Sequence, residues 1–329
     1  MDLDVLIGRV KRGASICLAS LIFVSSGLPK DGKSFQPTLC LKLTGGWGSA
    51  LPEKDDIDLR LESVNSTARF EYWREVDPSR VIGEIKPLNN HLPIPEWEAE
   101  LRTTLGPHII LGFATSPPHK KTIESSIRYI QVPGEEGQIV DLTYRPIVKV
   151  WPPIKFRLYY FPFHESRINI SVNGGIGIYP TEIEEYFAYG VTFPSGDFGL
   201  TERYTDAAAR FPLGFQGGFY LEYCVSRNLA FVVETEWRQV KLSHFKGRGR
   251  YFMNEWTADG ELTYSIYDEN EGTLYYFTMV DLNIGSRFAD IEVWDRIPDV
   301  SIYFFEDIRK VRLDLSRFSI RIGFKIRLF

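Results

Sequence analysis

The last strand-length segment constrains the fold more than any other feature of the chain. Phe318, Ile320, Ile322, Phe324, Ile326 and Leu328 lie on one parity, and Ser319, Arg321, Gly323, Lys325 and Arg327 on the other. Extended, this segment has one wholly apolar face and one face with three cations. A period of two is the side-chain period of a β-strand, and a helix would smear the same residues around its circumference.

The pattern recurs along the chain. Leu213, Phe215, Phe219, Leu221 and Tyr223 alternate with Gly214, Gln216, Gly218, Tyr220, Glu222 and Cys224. A polar turn, Ser226-Arg227-Asn228, leads to Leu229, Phe231, Val233, Thr235 and Trp237, which alternate with Ala230, Val232, Glu234, Glu236 and Arg238. Two such runs around a tight turn predict a β-hairpin. Ile168, Ile170, Val172, Ile176 and Ile178 form another run, as do Trp97, Ala99, Leu101 and Thr103 set against Glu98, Glu100 and Arg102. Near the start, Leu39, Leu41, Leu43 and Trp47 oppose Cys40 and Lys42. In the stretch 138–163, Val140, Leu142, Tyr144 and Val148 oppose Asp141, Thr143, Arg145 and Lys149, and Pro152-Pro153 interrupts it. Proline has no N–H for a ladder, so this stretch reads as one kinked strand, with two strands as the competing reading.

About eight strands result, near residues 38–49, 95–104, 108–116, 138–163, 168–180, 212–224, 229–240 and 313–329. Their connections alternate in length. Those at 105–107, 164–167 and 226–228 are short, and those at 50–94, 117–137, 181–211 and 241–312 are long. Aromatic residues make up 14% of the chain, which favours strands.

The N-terminus adds a compartment. Arg9, Lys11 and Arg12 precede the apolar run Ala14–Val24, and Ser25, Ser26 and Gly27 follow it. Basic, apolar, small is the order of a secretory signal peptide, expected over residues 1–26, with a mature part at 27–329. The apolar run is too short for a spanning helix, and no stretch of 18 apolar residues follows it. Of the three cysteines, Cys17 would be removed, and whether Cys40 and Cys224 pair stays open.

An exported chain of alternating segments about ten residues long predicts an all-β fold. The expected form is a closed antiparallel up-and-down transmembrane β-barrel of about eight strands, with short periplasmic turns and long extracellular loops. In lipid every backbone polar group must be paired internally, so the sheet has to close. Eight strands leave an interior that side chains can fill. The parity assignment points Lys42, Glu98, Glu100, Arg102, Asp141, Arg145, Lys149, Glu222, Glu234, Glu236, Arg238, Arg321, Lys325 and Arg327 inward. With both signs present, an ion-pair network filling the lumen is expected, and a narrow polar pore is the sharper alternative. Trp47, Trp97, Tyr223, Trp237, Phe318 and Phe324 fall on the membrane-facing side, several as interfacial girdles.

The runs Leu41–Trp47, Asn173–Tyr179, Gly214–Tyr223, Leu229–Glu236 and Phe318–Phe329 carry a resemblance to small bacterial outer-membrane β-barrels of the eight-stranded OmpA/OmpX type. The resemblance spans roughly residues 37–329 through the strands. It implies an outer-membrane location and contact with membrane lipid and lipopolysaccharide. It also implies recognition of the terminal aromatic Phe329 by the barrel-assembly machinery. Phe329 departs from the usual pattern, because it lies on the parity opposite to the apolar face ending at Leu328.

Chemistry-bearing motifs are scarce. The sequence has no CxxC, HExxH or nucleophile elbow. No catalytic, metal or cofactor residue is assigned, and no cofactor is expected. A net charge of −5 gives no support to nucleic-acid binding. Ser166 near His164 and Ser243 beside His244 are the only candidates for a lipid-modifying enzyme, and alternation along a strand would point the adjacent Ser243 and His244 apart. Asp268–Gly272 reads as the tip of a hairpin between 261–267 and 273–278. The expected role is a monomeric, non-catalytic structural or adhesion-type surface barrel that meets an extracellular ligand through its loops. A small-solute, porin-like pore, a hydrophobic-ligand carrier, an outer-membrane lipid-modifying enzyme and a soluble lipocalin-like binder are the alternatives.

Overall fold

Alternation becomes two tiers of antiparallel sheet in a computed structural model, which describes residues 38–50, 55–65, 77–86, 94–130, 138–162, 167–281, 286–297 and 305–328. The first elements are β1 (Leu39–Ala50), α1 (Asp56–Asn65), β2 (Val81–Glu84), β3 (Ile94–Thr104), β4 (Ile109–Thr115), β5 (His119–Thr122) and β6 (Ser125–Ile130). Next come β7 (Ile139–Val150), β8 (Ile154–Tyr160), β9 (Ile168–Ile178), β10 (Thr181–Thr192), β11 (Phe198–Ala209), β12 (Leu213–Cys224) and β13 (Leu229–Gln239). The last are β14 (Lys241–Leu242), β15 (Phe245–Trp256), β16 (Leu262–Asp281), β17 (Ser286–Trp294), β18 (Phe305–Lys310), β19 (Leu313–Asp314) and β20 (Arg317–Arg327).

The lower tier is a closed eight-stranded barrel in the order β1-β3-β4-β8-β9-β12-β13-β20, with β20 closing on β1. Neighbours are consecutive barrel strands, so the topology is up-and-down. Closure brings the C-terminal strand onto the first, with Leu41 opposite Ile326 and Trp47 opposite Ile320. The outward residues of these strands are apolar and exposed. Trp47, Trp97, Leu158, Ile170, Phe219, Tyr223, Trp237, Phe318, Ile322 and Phe324 are among them.

The upper tier replaces the expected long loops. Residues 117–137, 181–211 and 241–312 contribute strands to a ten-stranded sheet ordered β17-β16-β15-β11-β10-β7-β6-β2, with β18 also on β16 and β5 also on β7. Segment 50–94 supplies α1 and β2. The hairpin expected around Asp268–Gly272 is instead the middle of one 20-residue strand, β16. Its first half pairs with β15 and its second with β17 and β18.

Stretch 138–163 is two strands. β7 belongs to the upper sheet and β8 to the barrel, and Trp151-Pro152-Pro153 lies between them. The same break recurs at one level around the barrel. It falls at Pro117-Pro118 before β5, Pro180 before β10 and Pro212 before β12, and His244, before β15, has a φ of 65°. Each proline removes a ladder donor, yet the carbonyls of Pro180 and Pro212 still accept bonds from the Trp151 and Tyr179 amides, at 2.9 and 2.6 Å.

The upper sheet has a core of its own, which includes Ile127, Leu142, Ile183, Leu274, Ile291 and Val293. Helix α1 packs into this core. Asp55 caps it by accepting the Asp58 amide at 2.9 Å. Ile57, Arg60, Leu61 and Val64 share one face by helical spacing, with Ile57 and Leu61 fully buried. Arg60 enters the core paired with Glu185 and with Asp290 at 2.7 Å, its guanidinium 4.6 Å from the Tyr144 ring centre. Arg203 adds a two-pronged bond to Asp290 at 2.9 and 2.6 Å. Burial alone would raise the Asp290 carboxyl, but Arg203 and Arg60 outweigh it and hold it below its usual value. The expected signal segment 1–26 and the terminal Phe329 lie outside the described residues.

Candidate functional site: the barrel lumen and its upper rim

Inward side chains from β1, β3, β8, β13 and β20 converge on one charge network. Lys42 donates to Glu98 at 3.4 Å and contacts Glu100 at 2.5 Å, and it also pairs with Glu234. Glu98 is the hub. It accepts from Lys155 at 2.8 Å, from Arg157 at 2.7 Å and from Arg321 at 3.2 Å. Arg321 also donates to Glu236 at 2.6 Å and pairs with Glu234. Arg157 pairs with Glu236 as well. All of these groups are essentially inaccessible to water. Removing charges from water is expensive, and only close pairing with several partners each offsets it.

One level below, Arg102 donates twice to Glu100, at 3.2 and 3.1 Å. Its guanidinium lies 3.9 and 4.1 Å from the ring centres of Tyr159 and Tyr220. Tyr159 donates to Glu100 at 2.9 Å. Gly112 makes room for this layer, since a Cβ there would meet Glu100 Oε1 at 2.0 Å. Lower still, Lys325 pairs with Glu222. At the upper rim Arg238 donates to Glu96 at 3.2 Å, and Arg317 lies 3.7 Å from the same carboxylate. Below the rim six cations (Lys42, Arg102, Lys155, Arg157, Arg321 and Lys325) meet five carboxylates (Glu98, Glu100, Glu222, Glu234 and Glu236), whereas at the rim Arg238 and Arg317 share Glu96, which Arg321 also approaches at 3.7 Å.

The parity assignment therefore differs from the structure in both directions. Asp141, Arg145 and Lys149 are not in the lumen. They lie on β7 in the upper sheet and face outward, where Asp141 pairs with the exposed Arg128 and Lys149 with Glu184. Charge marks the lumen side only where the other side meets an apolar medium, and above the barrel it marks the water side. Arg327, at the lower end of β20, is exposed and lines the lower mouth of the lumen with Arg102, Glu222 and Lys325. Lys155, Arg157, Glu96 and Arg317 belong to the lumen and were missed. Lys155 and Arg157 continue the charged parity of 138–163 past the prolines, so the signal was present.

The aromatic residues Trp47, Trp97, Tyr223, Trp237, Phe318 and Phe324 all face outward and are exposed. Oxygens of Glu98, Glu100 and Glu234 lie close enough together to hold a metal ion. The Lys42 ammonium already sits on all three, so the cation of this site belongs to the chain itself. His164 and Ser166 lie outside the described residues. Ser243 and His244 do meet, with Oγ and Nδ1 2.9 Å apart. The left-handed backbone at His244 breaks the alternation that would have separated them. They occupy an exposed bend, and among the described residues no carboxylate bonds the other ring nitrogen.

No protein-family model matches the chain, and no curated protein matches it. Among solved structures it is similar to the crystal structure of a major outer membrane protein from Thermus thermophilus, at 9% identity and a TM-score of 0.32, covering 89% of this chain and 100% of that one. The lumen and the apolar exterior must be interpreted from their own geometry.

Proposed function

We propose that the chain is a non-catalytic barrel of the bacterial outer membrane that holds its upper sheet above the membrane as a structural or adhesion-type surface. The carrying observation is the inversion of the barrel wall. Its buried charge points inward and is largely paired, while its exterior is apolar and exposed on all eight strands. Phe219 is 66% exposed and Trp97 66%. Water would leave such an exterior uncovered, whereas lipid covers it. A hydrophobic-ligand carrier or a lipocalin-like binder needs the opposite polarity. The packed ion pairs support a closed scaffold over a small-solute pore.

On this reading the lower turns face the periplasm, and the partners are outer-membrane lipid, lipopolysaccharide and, during biogenesis, the barrel-assembly machinery. A further ligand would meet the upper sheet. A monomer suffices, because the eight barrel strands close on themselves, β20 on β1. The test is insertion of the full chain into lipid vesicles, followed by electrophoresis with and without boiling and by swelling in sugar solutions. A heat-dependent mobility shift without swelling is the expected result. A water-soluble product with no shift would overturn the membrane reading, and rapid swelling would replace the scaffold with a pore.

A further inference from the structure

The barrel wall is incomplete at one place. Strand β3 pairs with β1 along its length, up to Ile94 opposite Gly48. Its pairing with β4 ends at Ala99 opposite Thr115. Above that point β4 turns away through Ser116-Pro117-Pro118 into β5, which pairs with β7. Residues 94–98 of β3 thus have a ladder on one side only, and a window opens beside them. A cavity of about 120 Å³ fills this window, lined by Glu96, Trp97, Pro117, His119, Arg238 and Arg317 among others. That is roughly ten times the space one water needs.

The groups around it are short of partners. Arg317 is buried, with its side chain 10% exposed, and among the described residues its one ion contact is Glu96 at 3.7 Å. Among the described residues it makes no hydrogen bond. Among the described residues Arg238 Nε and His119 Nε2 also have no hydrogen-bond partner. Arg238 and Arg317 share one carboxylate, which Arg321 also approaches at 3.7 Å, and this leaves positive charge uncompensated in a site mostly shielded from water, which is costly until an anion arrives. Guanidinium forks match the oxygens of a phosphate.

The window also has an outer side. Trp97 and Trp47 face outward there, Trp47 sits opposite Pro95, and both lie at the upper end of the apolar exterior. Tryptophans at that level mark the membrane–water boundary, where lipid phosphates lie. We propose that this window is a lipid-headgroup site, in which Arg238 and Arg317 bind the phosphate of an anionic membrane lipid and Trp97 flanks its acyl chains. The assignment rests on the membrane reading above. His119 would donate the remaining bond.

The test uses the full chain, first shown to insert into vesicles by its heat-shifted band. It is then titrated in neutral detergent with phosphatidylglycerol, diacylglycerol or inorganic phosphate and examined by native mass spectrometry. One retained phosphatidylglycerol per chain is expected, with no diacylglycerol adduct. Arg317→Gln and Arg238→Gln should each weaken retention about tenfold or more, the loss expected when a charged hydrogen-bond partner is removed. Glu96→Gln should strengthen it. Arg317→Lys serves in place of Arg317→Gln if the latter yields no heat-shifted band. Equal retention by wild type and variants overturns the site and leaves the membrane reading standing. Binding of inorganic phosphate without any lipid adduct overturns the lipid assignment in favour of a free anion. A chain that never inserts into vesicles overturns the membrane reading instead.

Discussion

Glu98 is the residue on which the lumen depends most, because Lys42, Lys155, Arg157 and Arg321 all meet its carboxylate. Glu98→Ala would leave four cations short of a partner in a site without water. A loss of about 3–5 kcal/mol is expected, the usual cost of breaking a buried pair, read as a lowered urea midpoint for the heat-shifted band. Asp55 is the sensitive residue of the upper tier. Burial, and next the charge of Asp58, push its carboxyl up to about 7. Folded α1 therefore holds this proton more tightly than the unfolded chain, whose carboxyl titrates near 3.8. The linked stability is full at low pH and is lost as pH rises from about 4 to 7. Hydrogen exchange of the α1 amides, corrected for intrinsic rates, should show weaker protection at pH 8 than at pH 5. Asp55→Asn, which keeps the cap, should remove the difference. At this scale sequence was a partial guide. Parity located Lys42, Glu98, Glu100, Arg102, Glu222, Glu234, Glu236, Arg238, Arg321 and Lys325 inside the barrel. It failed at Asp141, Arg145 and Lys149 because a charged face carries no label for whether its neighbour is a lumen or open water.

Among the elements, seven barrel strands were legible from their alternation, whereas the segment expected over 138–163 as one strand holds β7 of the upper sheet as well as the barrel strand β8. Most of the upper strands were not. Their outward faces mix charged and aromatic residues, as on β11, where Tyr204 and Asp206 face out and Thr205 and Ala207 face in. Such a mixed run resembles a polar loop when read alone, and only pairing with four or five neighbours makes it a sheet. The two tiers should respond differently to a new surface charge. Ile322→Arg, at mid-strand on β20 between Gly45 and Val233, should cost about 2–4 kcal/mol, as a cation on the lipid face does. Ile82→Arg, equally exposed in appearance but on β2 of the upper sheet, should change little. Chemical denaturation of both variants in vesicles measures the contrast, and equal effects would deny that the two surfaces meet different media.

For the whole molecule, the short turns and the upper sheet lie at opposite ends of the barrel, and the proposed membrane placement sets the upper sheet outside the cell. In a chain with Cys40 and Cys224 replaced, Asp259→Cys, in the turn before β16, should react with a membrane-impermeant maleimide on intact cells. Arg227→Cys, in the β12–β13 turn, should react only after lysis. The reverse pattern would invert the molecule. The ring of prolines between the tiers has a consequence for how such a chain tolerates insertions and deletions. In a continuous strand one added residue flips every later side chain to the other face. Here that would turn the apolar wall inward and the ion pairs into lipid. A break at Pro117-Pro118, Pro152-Pro153, Pro180 and Pro212 stops the shift where it arises. The upper sheet can therefore gain or lose residues while the barrel beneath keeps its register.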